Sequence, residues 1–122
     1  MVVLGIADDE PDILRLFQIM LEMKGFPVAF LARDGAEAVA MQRKNPADVV
    51  LLDYYMPVMD GHDASKAILE EFPDTRIIIM TGSDDIKVAE KGLGDITILK
   101  KPFTFKTILG MLTGTEPLKN KK

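Results

Sequence analysis

The sequence predicts an α/β protein, a doubly wound parallel sheet with helices on both faces, and three observations carry that prediction. Short, nearly continuous runs of β-branched and aliphatic residues recur along the chain, as parallel strands covered on both faces require. Each run is followed by a longer segment whose apolar residues have helical spacing. The length of 122 residues, 48% of them hydrophobic and 28% charged, supplies one core and one compact domain, with no room for a second catalytic or effector unit.

Taken in order, residues 2–7 read as the first strand. Residues 11–23 form a helix opened by Pro11, whose missing N–H leaves no bond unmade in a first turn. Its polar residues Arg15, Gln18 and Glu22 occupy one narrow stripe, so most of its surface is apolar. Burial in the sandwich is the default reading of that breadth, and a partner surface is the alternative. A weaker strand at 28–31 leads through Asp34-Gly35 into a short helix at 36–44, which stops because Asn45, preceding Pro46, avoids the helical region. Residues 49–52 are the third strand, and Ala64, Ala67, Ile68 and Phe72 give 62–72 the spacing of a helix closed by Pro73-Asp74. A fourth strand at 77–80 precedes a brief helix at 85–91, bracketed by Gly82, Gly92 and Gly94 and so of low local stability. A fifth strand at 96–99 and a last helix at 103–112 complete a domain expected over residues 1–113, with 114–122 as a flexible tail or the start of a linker.

Composition excludes several classes of function. A net charge of −4 offers no electrostatic footprint for gripping a phosphate backbone, so direct nucleic-acid binding is not expected. The absence of cysteine removes disulfides, thiolate metal sites and cysteine nucleophiles, and fits a reducing compartment. No apolar stretch approaches the ~18 residues of a membrane span, and no basic segment precedes the first apolar run. A cytoplasmic protein without membrane insertion is expected.

In an open parallel sheet, ligands bind beyond the carboxyl ends of the strands. There the sequence places Asp8 and Asp9 after the first strand, Asp53 after the third, Thr81 after the fourth, and Lys100 and Lys101 after the fifth. Two like charges ~4 Å apart repel by ~4 kcal/mol at an effective dielectric of ~20, so three carboxylates at one rim call for positive charge among them. A hard divalent cation such as Mg²⁺ suits oxygen donors better than zinc, and the rim offers no histidine or cysteine.

The same residues carry a family resemblance. Asp8-Asp9-Glu10, the stretch from Asp48 through Asp53 to Asp60-Gly61, the step Met80-Thr81-Gly82 and the triplet Lys101-Pro102-Phe103 resemble the receiver domain of two-component response regulators, over residues 2–112. That resemblance implies a flavodoxin-like five-stranded sheet in the order 2-1-3-4-5 and a cis peptide at Lys101-Pro102. It implies Asp53 as phosphoacceptor, Mg²⁺ held by Asp8, Asp9, Asp53 and the Tyr55 backbone carbonyl, and phosphoryl contacts from Thr81, Gly82 and Lys101. A sensor histidine kinase or phosphotransfer protein would be the donor and a downstream protein the effector of this phosphorelay switch. Catalysis would be limited to intrinsic Mg²⁺-dependent self-phosphorylation and self-dephosphorylation. The chemistry agrees: a carboxylate can attack phosphorus to give an acyl phosphate, with charge neutralisation by Mg²⁺ and Lys101 in place of proton transfer.

Two positions depart from the family's usual pattern. Ile98 stands three residues before the lysine, where the family often has an aromatic ring, so the glycine-bracketed segment 85–91 is the expected carrier of the output. Tyr55, two residues after the acceptor, is large for its position, which predicts slow loss of the phosphoryl group.

Plainer readings stand beside these. Taken singly, Asp8, Asp9 or Asp53 would be caps or turn formers, and their joint placement sets them apart. Glu10 is expected to cap the first helix, Lys100 to be solvated, His62 to be a surface residue and the methionines to fill gaps. An aspartate-nucleophile phosphatase of the same topology would want a second acid where Tyr55 stands. A flavin or dinucleotide carrier would want a glycine- or hydroxyl-rich first turn where Asp-Asp-Glu stands. A non-phosphorylated interaction module would leave the rim residues without a role.

Overall fold

The structure is a computed structural model that describes residues 2–82 and 95–113. Its strands are β1 (Leu4–Ala7), β2 (Val28–Ala32), β3 (Val49–Asp53), β4 (Arg76–Thr81) and β5 (Asp95–Lys100), and its helices are α1 (Pro11–Met23), α2 (Gly35–Lys44), α3 (Gly61–Glu71) and α4 (Phe105–Thr113). All neighbouring strands are parallel, in the order β2-β1-β3-β4-β5.

Every residue of β1 and β3 is buried, as continuous aliphatic runs between two helical layers should be. Alternate side chains feed two cores. Val50, Leu52, Ile77 and Ile79 pack with Ala38 and Val39 of α2 and Ala64 and Ile68 of α3. Leu4, Ile6, Leu51, Ile78 and Met80 pack with Leu14 and Leu21 of α1 and Ile108 and Met111 of α4. Each aliphatic side chain withdrawn this fully from water contributes ~1.5–3 kcal/mol, which is what allows the strand ends to carry charge.

Most boundaries agree with the sequence reading to within a residue or two, and the differences have local causes. The last helix starts at Phe105 because Thr104 caps it: the Thr107 N–H donates to the Thr104 carbonyl at 3.1 Å and to its Oγ1 at 3.3 Å. Glu10 occupies the N-cap position of α1 but makes no side-chain cap; its own N–H donates to Asp8 Oδ1 at 3.0 Å. Only Leu14 and Leu21 of α1 are buried, while Leu16, Ile19 and Met23 are exposed, so the sheet does not cover the whole apolar breadth of that helix. The expected helix at 85–91 lies outside the described residues.

Asp34 and Asp60 cap α2 and α3 by accepting the N–H of Glu37 and of Asp63, and each is followed by a glycine for a tertiary reason. A Cβ on Gly35 would lie 2.1 Å from the Met59 carbonyl oxygen, and one on Gly61 would lie 2.8 Å from the Asp53 carbonyl oxygen. The loop between β3 and α3 is thus clamped from both sides. Within it the Met59 N–H donates to the Pro57 carbonyl at 2.7 Å, a three-residue turn that forces Val58 to φ 69°. A β-branched residue is strained there, and Val58 is 83% exposed, so little packing offsets the strain. Val58→Gly is expected to raise the urea midpoint by an amount equivalent to ~0.5–1 kcal/mol, relief of left-handed strain outweighing the extra entropy of glycine.

Candidate functional site

The parallel ladders run on past the strands and bring the rim residues into register. The Asp8 N–H donates to the Ala32 carbonyl at 3.0 Å, the Tyr54 N–H to Met80 at 2.9 Å, and the Lys101 N–H to Thr81 at 2.7 Å. Asp53 ends β3 opposite Met80, and Thr81 ends β4 opposite Lys100. On the far side of Asp53 the Gly61 N–H closes the loop onto the Tyr54 carbonyl at 2.7 Å.

Asp8, Asp9 and Asp53 each place a carboxylate oxygen within 4.8 Å of the others. Asp8 and Asp53 are buried and Asp9 is exposed. The Lys101 Nζ donates to Asp53 Oδ1 at 2.8 Å. Partial burial works against the Lys101 ammonium, but the hydrogen bond to Asp53 and the fields of Asp53, Asp8 and Glu10 outweigh it and raise its pKa. Burial pushes the Asp8 carboxyl up to about 6; the Glu10 N–H opposes that shift, Asp53 and Asp9 add to it, and Lys101 opposes it. Three carboxylates with oxygen atoms within 4.8 Å of one another make a donor set that fits a hard divalent cation.

Thr81 is 2% exposed at the end of β4. A Cβ on Gly82 would meet Lys101 Cβ at 3.8 Å, an ordinary contact, so packing against the described residues does not demand glycine there. Lys101-Pro102 is cis, as expected. Tyr55 is exposed, and its ring stands edge-on to buried Tyr54 with centroids 4.7 Å apart. Ile98 is partly buried against the core shared with α2 and α3. The sequence reading assigned nothing to His62, which lies 3.1 Å from the Asp63 carboxylate and close to Asp60; Asp60 is already engaged as the cap of α3.

The fold and this rim define a class of protein, an open parallel sheet that gathers acids and a lysine at its carboxyl edge. The family model for the response regulator receiver domain matches residues 4–113. The chain is 37% identical over 102 residues to a protein-glutamate methylesterase/protein-glutamine glutaminase of Hahella chejuensis, covering 80% of this chain and 29% of that protein. It is 31% identical to the probable C4-dicarboxylate response regulator DctR of Halalkalibacterium halodurans, covering 93% of this chain and 50% of that one. The crystal structure of the chemotaxis protein CheY4 of Vibrio cholerae superposes with a TM-score of 0.81 at 32% identity, covering 93% and 98% of the two chains. The response regulator TrrA of Thermotoga maritima, in complex with Mg(2+)-BeF, superposes with a TM-score of 0.79 at 25% identity, covering 93% and 98%. The chain belongs to the response regulator receiver domain family, and its class of function is the phosphorylation-dependent switch of two-component signalling. It spans half or less of the length of the two curated relatives. Among the described residues, no helix is long and apolar enough to cross a membrane.

The raised Asp8 pKa has a consequence for stability. The folded-state value near 6 exceeds the ordinary 3.8, so the ionised form is a cost that is absent below about pH 4, grows as pH rises through about 6 and is constant above it. Asp8→Asn keeps an acceptor for the Glu10 N–H and removes the charge. In EDTA it is expected to be more stable than wild type above pH 6 by an amount of order 2–3 kcal/mol, with the gain fading toward pH 4. Urea denaturation across that range measures it.

Proposed function

We propose that Asp53 is the phosphoacceptor, and the observation that carries the reading is the Lys101 Nζ held 2.8 Å from Asp53 Oδ1 beside Asp8 and Asp9. An Asp53 carboxylate oxygen attacks phosphorus of a phosphohistidine on a kinase or phosphotransfer protein. The P–N bond breaks, its electron pair leaves with the imidazole, and Asp53 becomes an acyl phosphate. Asp8, Asp9, Asp53 and the Tyr55 backbone carbonyl would hold Mg²⁺, which when bound supplies charge neutralisation for the transferring group. TrrA, the relative in complex with Mg(2+)-BeF, supports that choice of ion. Lys101 balances the negative charge on the phosphoryl oxygens, the Thr81 hydroxyl turns toward them, and the Gly82 N–H approaches one of them.

The acquired charge of about −1.5 to −2 alters the rim and shifts affinity for a downstream protein effector. We assign the chain no catalytic activity beyond gaining and losing this group. A phosphatase reading is disfavoured because Tyr55 stands where such an enzyme wants an acid, and the site's acids suit a cation better than a cofactor phosphate. The chain is read as a cytoplasmic receiver over residues 1–113 with 114–122 as tail or linker.

Incubation with Mg²⁺ and acetyl phosphate, followed by intact-mass measurement, is expected to show one labile phosphoryl adduct. Asp53→Asn should show none, and Lys101→Ala should slow its formation by about 100-fold, the scale of losing one charge-stabilising donor. An adduct that persists in Asp53→Asn would reassign the acceptor. Tyr55 screens the acyl phosphate from water in this reading, so Tyr55→Asn is expected to shorten the phosphoryl lifetime several-fold; an unchanged lifetime removes that role from the ring.

A further inference from the structure

Helix α1 carries more apolar surface than the sheet covers. Leu14 and Leu21 are buried in the core shared with α4, yet Leu16 is 49%, Ile19 50% and Met23 79% exposed. At about 100° per residue, Leu16, Ile19, Met20 and Met23 form one continuous stripe on the side of the helix away from buried Leu14 and Leu21. The exposed positions of α2 and α3 are mainly charged, such as Glu37, Arg43, Lys66 and Glu70, so among the described helices the exposed apolar stripe belongs to α1.

The stripe has the spacing of a coiled-coil seam, and its edge is patterned. Arg15 and Glu22, seven positions apart in the sequence, are both exposed and lie along the same edge. Neither has an ion-pair or side-chain hydrogen-bond partner among the described residues. They are too far apart along one helix to pair with each other, since seven residues rise ~10 Å.

We propose that α1 of a second copy of this chain occupies this face, running antiparallel. A two-fold axis perpendicular to both helices keeps like edges together and reverses the order of residues. Leu16 then meets Met23 of the partner subunit, Ile19 meets Ile19 of the partner subunit across the axis, and Arg15 meets Glu22 of the partner subunit. The last contact occurs twice, so one pair of opposite charges on a single edge makes two ion pairs. A parallel pairing carries the charged edges to opposite sides and forms neither. The helix dipoles also oppose favourably in the antiparallel arrangement. A hollow of about 460 Å³ lined by Glu22, Gly25, Phe26 and Pro27 adjoins the same edge and gives the aliphatic stem of the partner's Arg15 a place to lie. One pair of 13-residue helices buries less than the ~1,200 Å² of a standard stable interface, so the dimer is weak and reversible. The proposal does not depend on the assignment of Asp53.

Sedimentation velocity of the full chain over a wide concentration range is expected to show a reversible monomer–dimer equilibrium. Ile19→Glu, with its fold checked by circular dichroism, should raise the dissociation constant about 10-fold or more, since a carboxylate replaces a covered apolar contact. Arg15→Glu and Glu22→Arg should each weaken the dimer, and the two together should restore it. Because the chain has no cysteine, orientation can be read by oxidation: Leu16→Cys and Met23→Cys chains should cross-link when mixed, and neither with itself. A chain monomeric at every concentration overturns the proposal and leaves the face to a different protein. A dimer indifferent to Ile19→Glu, a double charge swap that fails to restore, or self-cross-linking of either cysteine variant overturns it equally.

Discussion

Asp8, Asp9 and Asp53 bring carboxylate oxygens within 4.8 Å of one another at one end of the sheet, and the Lys101 ammonium, 2.8 Å from Asp53, is drawn into that field. Holding like charges this close is unfavourable, and burial of Asp8 adds a desolvation cost. The fold tolerates the arrangement because the acids sit at the ends of strands whose other residues are apolar and buried on both faces. Hydrophobic burial along β1 and β3 holds the charges together without any contribution from them. An excess of negative charge with few ways to relax is what prepares the rim to take up a cation, and a group that must be stabilised by one.

The loop that follows Asp53 is held more tightly than its sequence indicates. The Gly35 and Gly61 backbones press against Met59 and Asp53, and the turn between them places Val58 in a left-handed conformation. Strain of this kind persists where surrounding contacts over-determine the backbone, and such places cluster near functional sites. Here the consequence is positional. The Asp53 carbonyl and the start of α3 approach so closely that any shift of the loop is felt at the carboxylate.

The two faces of the sheet differ in how completely they are used. Helices α2 and α3 bury their apolar residues and present charge outward, joined across their surface by Arg43 and Glu71. Helix α1 buries one stripe and leaves a second exposed, directly after the acidic residues of the rim. Fold does not imply function; the rim chemistry and the family shared with CheY4 and DctR supply the class of function, while the outer face of α1 belongs to recognition.

Sequence periodicity alone was enough to specify the parallel sheet, because a strand buried on both faces must be aliphatic throughout, and the runs ending at Ala7, Leu52 and Met80 nearly are. The rim residues were legible for the same reason: polar side chains directly after such runs can only stand at the sheet's edge. Strand order, the cis bond and the roles at the rim came from the family pattern and not from spacing. Tertiary structure decided what depends on distance between segments remote in sequence. That Gly35 answers to Met59 and that the Asp8 carboxyl is pushed up to about 6 are consequences of close approach and desolvation, which no local pattern encodes. The breadth of apolar residues on α1 was visible in the sequence, but only the position of the helix on the sheet showed how much of that breadth the core leaves uncovered.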